Sequence, residues 1–310
     1  MAEAPVIRTV GLTKAYGRTL ALRDLDLSVE AGEVFGYLGP NGAGKTTTLR
    51  LLMGLLRPTS GHAEVLGLDA WRDSVRVHRD VGYLSGEPAF YRRMTGVQHL
   101  EYVAHLHGDG DTARGRALSA RLDLDLTRQA TALSKGNRQK LAVVLALMNK
   151  PRLLLLDEPT SGLDPLVQQE FQAMLREHTD AGGSVLLSSH VLGEVQRLAD
   201  RIGVVRAGRL IAVERLESLR AKSLHHVSAT FADRADAAEF SGLPGVRDLH
   251  VADGTLTCSA PQSSLDELIK QVSRHAVVDF ECAEAELEET FLTYYETSQT
   301  PPRSEVGHVA

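Results

Sequence analysis

Cysteine is scarce in this 310-residue chain, a basic excess is missing, and no long apolar run occurs. The two cysteines, Cys258 and Cys282, stand far apart and lack metal-ligand spacing. That argues against a disulfide framework and leaves buried reduced thiols as the expectation. The formal net charge of -6 argues against a nucleic-acid-binding surface over the whole protein, although a local basic loop for a nucleotide is compatible with it. No stretch approaches the ~20 apolar residues a membrane span requires. The start, Met1 to Pro5, has neither a basic segment nor an apolar one of the kind a secretory leader carries. The expectation is a cytoplasmic chain without a span of its own. With 43% hydrophobic and 24% charged residues it reads as globular, with room for one large domain and a small one or for two of ordinary size.

Against these absences stands one stretch, GPNGAGKTT, Gly39 to Thr47. It follows the apolar run Val34 to Leu38 and leads into Thr48 to Leu52, a strand–loop–helix context. Gly39, Gly42 and Gly44 free the backbone to curl so that successive N–H groups point inward at phosphate oxygens, and a helix N-terminus behind such a nest binds anions. In that geometry Lys45 reaches the β- and γ-phosphates, the Thr46 hydroxyl sits on Mg²⁺, and Thr47 is left for the α-phosphate side. A chance match to G-x-x-x-x-G-K-[ST] in a chain of this composition is on the order of one in a hundred.

Upstream, Val6 to Val10 and the alternating Leu25, Leu27 and Val29 read as strands with one solvated face. Tyr16 lies between them in a turn where its ring can stack on a purine. Downstream, Arg57 to Gly61 is a stop signal and a strand runs from about Ala63 to Leu68. From Gly86 to Lys150 the pattern is helical. Thr95 to Gln98 fits a capping box ahead of Leu100, Val103 and Ala104, and Leu141, Val144, Leu145 and Met148 repeat the period. Leu153 to Leu156 reads as a parallel strand buried on both faces, and it ends in Asp157-Glu158-Pro159. Carboxylates at the C-terminal end of such a strand point into the crevice where α/β sheets bind ligands. Asp164-Pro165 pairs an N-cap with proline at the first helical position. Ser184 to Ser188 is the next strand and delivers His190; Ile202 to Val205 and Leu210 to Val213 close as a hairpin. Beyond Leu219 the order strand, helix, strand, strand, helix, strand, with a hairpin at Asp253-Gly254, is the split βαβ plan of ferredoxin-like folds. Leu287 to Tyr295 reads as a terminal helix, and Thr300-Pro301-Pro302 begins a disordered tail.

Four motifs join the phosphate loop: LSKGNRQK from Leu133 to Lys140, LLLLDEP from Leu153 to Pro159, SGLD from Ser161 to Asp164, and LLSSH from Leu186 to His190. In order and spacing, as far as about Arg215, the set resembles the nucleotide-binding subunit of an ABC transporter. The resemblance implies an α/β, P-loop NTPase fold of the ABC type with an antiparallel β subdomain and a helical subdomain over about 87–150. The ATP-binding domain spans 1–219, a small α+β domain of ferredoxin-like plan 220–296, and the tail 297–310. ATP and Mg²⁺ are the implied cofactors. Asp157 and Thr46 would hold the metal, Glu158 would polarise the attacking water, Lys45 would hold the phosphates, and His190 would sense the γ-phosphate. Tyr16, Gly39, Asn41, Gly42, Ala43, Gly44, Lys45, Thr46 and Thr47 would form one side of the nucleotide site. Ser134, Gly136 and Asp164 would close it from a second copy, since in this family the signature of one subunit covers nucleotide held by the other. The implied partners are therefore a second copy of this chain and an integral membrane permease, with no nucleic acid. The chain is expected in the cytoplasm, peripheral at the inner face of the cell membrane.

Two positions depart from the family pattern. Lys135 and Asn137 replace the glycine and glutamine of an LSGGQ signature, a variant that resembles the ATPases of ABC-2 type exporters for drugs. Gly86, in Val81 to Pro88, stands where the family carries the Q-loop glutamine; Glu87 can substitute, or the loop can act through backbone shape alone. The exposed segment Gly86 to Arg93, with Phe90 and Tyr91, is either a docking site for the membrane partner or a solvated loop. Non-transport ABC ATPases of translation or DNA repair fit less well. The chain has one phosphate loop, and no sustained heptads separate Lys45 from Asp157.

Overall fold

The computed structural model describes residues 4–108, 110–218, 224–233 and 235–284. The chain divides into two compact units, Met1–Leu216 and Glu217–Ala310.

In the first unit, β1 (Ile7–Tyr16), β2 (Thr19–Leu25) and β3 (Ser28–Val29) precede β4 (Val34–Leu38), which runs straight into α1 (Lys45–Leu52). Next come β5 (Ser60–Val65), β6 (Leu68–Asp69), α2 (Ser74–Asp80) and β7 (Val81–Leu84). A helical stretch holds α3 (Gly96–His107), α4 (Ala113–Arg121) and α5 (Lys135–Leu147). Then β8 (Leu153–Asp157), α6 (Pro165–Asp180), β9 (Ser184–Ser189), α7 (Leu192–Gln196), β10 (Arg201–Arg206) and β11 (Arg209–Arg215) complete the unit.

Two sheets result. The antiparallel one has the order β2-β1-β5-β6, with β3 also paired to β1. The other has the order β11-β10-β4-β9-β8-β7; β10 through β7 are parallel and β11 is an antiparallel edge. Every residue of β4, β8 and β9 is buried. A strand covered on both faces cannot alternate, so VFGYL and LLLLD read as unbroken apolar runs and occupy the centre. One apolar cluster joins the two layers: Ile7, Leu12 and Leu22 from the antiparallel sheet pack with Leu49 and Leu52 of α1 and with Phe35, Tyr37, Leu155 and Leu186 of the parallel one.

The capping box at Thr95 and Gln98 starts α3. In α6 the Asp164 carboxylate accepts from Val167 N at 3.0 Å, Pro165 occupies the first turn, and Phe171, Met174, Leu175 and His178 form the buried stripe. Arg121 of α4 donates to Glu170 at 2.6 Å and through both terminal nitrogens to Glu177 at 2.7 Å, a fork-shaped tie between α4 and α6.

Three expectations need correction. The first strand does not stop at Val10 but continues to Tyr16, so Tyr16 ends a strand paired with Thr19. The extension passes through two register shifts, bulges that the local alternation of residues does not announce. The strand expected from Ala63 to Leu68 is instead a hairpin, because Leu66 (φ 52°) and Gly67 (φ 75°) make a two-residue turn that pairs Val65 with Leu68. Cys258 is buried but Cys282 is exposed.

The second unit contains β12 (Leu224–Phe231), α8 (Ala237–Phe240), β13 (Arg247–Ala252), β14 (Thr255–Pro261), α9 (Leu265–Val272) and β15 (Val277–Glu284). The sheet order is β13-β14-β12-β15, antiparallel throughout. The first strand thus lies between the third and the fourth, the split βαβ arrangement. Val227, Ala229, Phe231, Leu256 and Cys258 meet Phe240 and Leu268 in its core. Val227 pairs with Cys258 on one side and Cys282 on the other. The thiols are therefore two strand spacings apart, roughly 10 Å, beyond disulfide reach. Cys282 is open because β15 is the sheet edge. The expected helix at Leu287 to Tyr295 and the tail at Thr300 lie outside the described residues.

His178 is 6% exposed, and among the described residues its Nε2 has no hydrogen-bond partner. Burial holds its pKa below the ordinary imidazole value. The unfolded chain takes up a proton at about pH 6.5 that the folded chain resists, so this contribution to stability is complete above that pH and is lost as pH falls below it. The melting temperature is expected to drop between pH 7.5 and 5.5, and His178→Gln to reduce that drop in a calorimetric scan.

Candidate active site

The loop after β4 has the shape its glycines demand. A Cβ on Gly39 would lie 2.3 Å from the Val205 carbonyl, and Gly44, at φ 108°, presses on the Ala21 carbonyl. Neither position accommodates a side chain. Gly44 caps α1 without any side-chain acceptor, and no acidic residue occupies the first turn, so the positive end of the helix is left for an external anion. Lys45 is 6% exposed and donates to the carbonyls of Gly39 (2.6 Å) and Pro40 (3.3 Å), which folds its ammonium back over the loop. Asn41 and Gly42 are exposed at the tip and Ala43 is buried beneath it. Among the described residues no hydrogen bond engages the hydroxyls of Thr46 and Thr47, whereas Thr48 is buried and bonded to Tyr37.

The two carboxylates after β8 occupy different surroundings. Asp157 is 2% exposed; Ser188 donates to its Oδ1 at 2.6 Å, and Oδ2 faces Gly86. Glu158 is held between two basic groups, with Oε1 3.3 Å from Lys45 Nζ and Oε2 accepting from His190 Nδ1 at 2.8 Å. Its backbone sits at φ 47°, a left-handed conformation that costs a glutamate about 1–3 kcal/mol. The strain turns the side chain out of the sheet and into the crevice. Lys45, Glu158 and His190 are thus joined in one chain, by an ion pair on the lysine side and a hydrogen bond on the histidine side.

No cluster of three or more His, Cys, Asp or Glu that could cage a metal exists among the described residues. A buried aspartate at the end of β8 and an unengaged threonine hydroxyl in the first turn of α1 are nevertheless hard-oxygen groups of the kind that bind Mg²⁺ together with substrate phosphates and water. The residues present fit the metal on those terms.

Ser134 caps α5, its hydroxyl accepting from Asn137 N at 3.2 Å. Gly136 packs on the SGLD turn, where a Cβ would lie 2.8 Å from the Gly162 carbonyl. Signature and D-loop are therefore neighbours, and Asp164 follows as helix cap. No hydrogen bond or ion pair among the described residues joins Ser134 or Gly136 to residues 39–47. Tyr16 is half exposed, with Lys14 Nζ 5.2 Å from its ring centre. Glycine at position 86 is required by neither space nor backbone, since an added Cβ would touch Asp157 Oδ2 at an ordinary 3.4 Å. Glu87 is exposed. In the segment Gly86 to Arg93, Tyr91 N donates to His99 Nε2 at 3.2 Å and Phe90 meets the same ring edge-on, so α3 fixes the loop.

Two further residues of the site lie within the quoted motifs without a role having been read for them. Ser188 holds Asp157, and Gln139 of α5 donates to the Pro159 carbonyl at 2.8 Å, tying the signature helix to the turn that carries Glu158. The only available signal was position: Gln139 falls one helical turn after Lys135 in an otherwise apolar stripe.

The sequence profile described as ABC transporter matches residues 22–161. The daunorubicin resistance ATP-binding protein DrrA3 of Streptomyces coeruleorubidus is 43% identical over 69% of this chain and 69% of its own length. The chain belongs to the ABC transporter ATP-binding family. The bacitracin transport ATP-binding protein BcrA of Enterococcus faecalis is 32% identical over 88% of this chain and 90% of its own. A solved structure described as the ATP-binding subunit of an ABC transporter covers 86% of this chain and 99% of its own at 26% identity, with a TM-score of 0.65. The chain is accordingly an ABC-type ATPase with the P-loop ABC fold, and its nucleotide is ATP. No helix among the described residues is long and apolar enough to cross a membrane.

Gln139→Ala leaves the buried Pro159 carbonyl of this ABC ATPase without its donor. It is expected to destabilise the fold by about 1–3 kcal/mol in a urea titration and to lower ATPase rate more than ATP affinity.

Proposed function

We propose that the chain is the ATP-hydrolysing subunit of an exporter, working as a homodimer on a separate integral membrane permease. The observation that carries the mechanism is the single carboxylate of Glu158 held between Lys45 and His190 at the mouth of the phosphate loop. Glu158 is suited to take the proton of the attacking water. Lys45 exchanges its pairing with Glu158 for the β- and γ-phosphates, which releases the carboxylate as substrate arrives. His190 donates from Nδ1 to Glu158, which orients the imidazole ring beside the carboxylate. The backbone N–H groups from Gly39 to Thr47 and the α1 dipole hold the triphosphate, and Tyr16 offers a ring for the adenine. Thr46 and Asp157 would hold Mg²⁺, which when bound neutralises charge on the phosphate oxygens.

The dimer reading is supported by the separation of Ser134 and Gly136 from the phosphate loop within one chain. The cap at Ser134 and the α5 dipole form a second anion-binding helix start that serves a nucleotide only if another copy presents it. Export as the direction is supported by the LSKG form of the signature and by the drug-related names of DrrA3 and BcrA. The membrane-side contact is proposed for Gly86 to Arg93, where exposed Tyr91 and two arginines stand on a loop braced by α3. Attachment through the permease would hold the protein at the cytoplasmic face of the membrane.

Glu158→Gln is expected to bind ATP at least as tightly as the parent, because it removes the charge that competes for Lys45, while turnover slows by roughly 10²–10⁴. With ATP and Mg²⁺ it should elute from a sizing column as a dimer; a monomer under those conditions would sink the homodimer. For the loop at Gly86, Glu87→Ala is expected to leave ATPase activity unchanged and Gly86→Gln to raise it at limiting Mg²⁺. Loss of activity in Glu87→Ala would instead make Glu87 the substitute for the missing amide.

A further inference from the structure

Away from the catalytic crevice, a cavity of about 270 Å³ opens between the end of α1 and the β5–β6 hairpin. Its floor is apolar and fully buried: Leu12 of β1, Leu51 of α1 and Ala70 are each no more than 2% exposed. One wall is Trp71, the chain's single tryptophan, which is 43% exposed. Arg57 and Arg72 line the rim, with His62 beside them. Among the described residues neither guanidinium forms an ion pair. The carboxylate on this wall, Asp69, is already engaged through Oδ1 by the backbone N–H groups of Trp71 (3.0 Å) and Arg72 (2.8 Å), so it holds the Trp71 turn in place.

An apolar floor, an aromatic wall and two uncommitted guanidinium groups make a site with one complementary chemistry. The floor excludes a strongly hydrated ion, the indole face favours a planar ring, and the arginines favour a carboxylate, sulfonate or phosphate on that ring. We propose that this cavity is a regulatory site for an organic anion bearing a planar ring.

Its regulatory reach follows from what the cavity is built on. Leu51 sits in the helix that begins at Lys45. Two hydrogen bonds tie the rim to the strand end that carries Tyr16: Ala15 N donates to Thr59 Oγ1 at 2.9 Å, and Lys14 Nζ to the Arg57 carbonyl at 2.8 Å. A ligand that orders this rim acts on both the phosphate helix and the aromatic platform, and by linkage ATP changes the ligand's affinity by the same factor.

Naphthalenesulfonate serves as the probe with the full chain, read by Trp71 emission and independently by calorimetry. Saturable quenching is expected, with affinity reduced roughly tenfold or more in the Arg57→Ala/Arg72→Ala double variant. That variant should retain parent ATPase activity, since both residues lie outside the catalytic machinery. Neutral naphthalenemethanol and inorganic sulfate should each bind at least tenfold more weakly. The probe should shift ATP affinity in the parent and not in the double variant. Equal binding by the neutral ring or by sulfate, indifference of the probe to the two arginines, or an ATP affinity unmoved by saturating probe would each overturn the proposal.

Discussion

The hydrogen-bonded register of three parallel strands is the constraint on which the rest depends. Leu38 of β4 pairs with Ser189 of β9, and Ser188 of β9 pairs with Asp157 of β8. The pairing persists past the strand ends, where Gly39 N donates to the Ser189 carbonyl at 3.2 Å and Glu158 N to the Ser188 carbonyl at 3.1 Å. The phosphate loop, the two carboxylates and His190 therefore leave the sheet at one level and share one crevice. A slip of one residue in any pair would turn alternate side chains to the opposite face and take Asp157 or its partner Ser188 out of the site. Burial on both faces is what forbids that slip, so the apolar runs of β4, β8 and β9 act on catalysis through register.

Within that crevice the division of labour between neighbouring carboxylates comes from backbone conformation. Asp157 is the last residue of an extended strand and stays buried beside a hydroxyl donor. Glu158 turns to φ 47° and emerges between an ammonium and an imidazole. Consecutive residues of the same charge are thereby given different neighbours: one a buried hard-oxygen position beside a hydroxyl, the other a carboxylate shared between an ammonium and an imidazole. Strain at such a position persists only where the surroundings over-determine it. Here the Glu158 N bond to β9 and the Gln139 bond to Pro159 supply the fixation.

The signature helix contributes through close approach. Gly136 and Gly162 bring the start of α5 against the D-loop turn, and Gln139 pins the same helix to the carboxylate turn. The start of α5 is thus tied to the Glu158 turn, while among the described residues no hydrogen bond or ion pair joins Ser134 or Gly136 to the phosphate loop of the same chain. A Cβ on Gly86 would lie 3.4 Å from Asp157 Oδ2, so the segment that leads toward Tyr91 begins against that carboxylate. Both segments converge on the end of β8.

The sequence by itself determined the local elements of this protein. The glycines of the phosphate loop, the Asp164-Pro165 helix start, the capping box at Thr95 and the unbroken apolar run before Asp157 each carry a physical requirement met within a few residues, and each is present in the structure. The split βαβ order of the second unit was legible for the same reason, with the turn at Asp253-Gly254 marking its central hairpin. Tertiary structure alone decided the continuation of β1 to Tyr16 through two bulges, the opening of Cys282 on an edge strand, and the partners of Glu158. It alone also placed Ser188 and Gln139 in the site. These depend on which distant strand lies alongside and at what register, and a free energy of pairing spread over whole strands leaves no mark at any single residue.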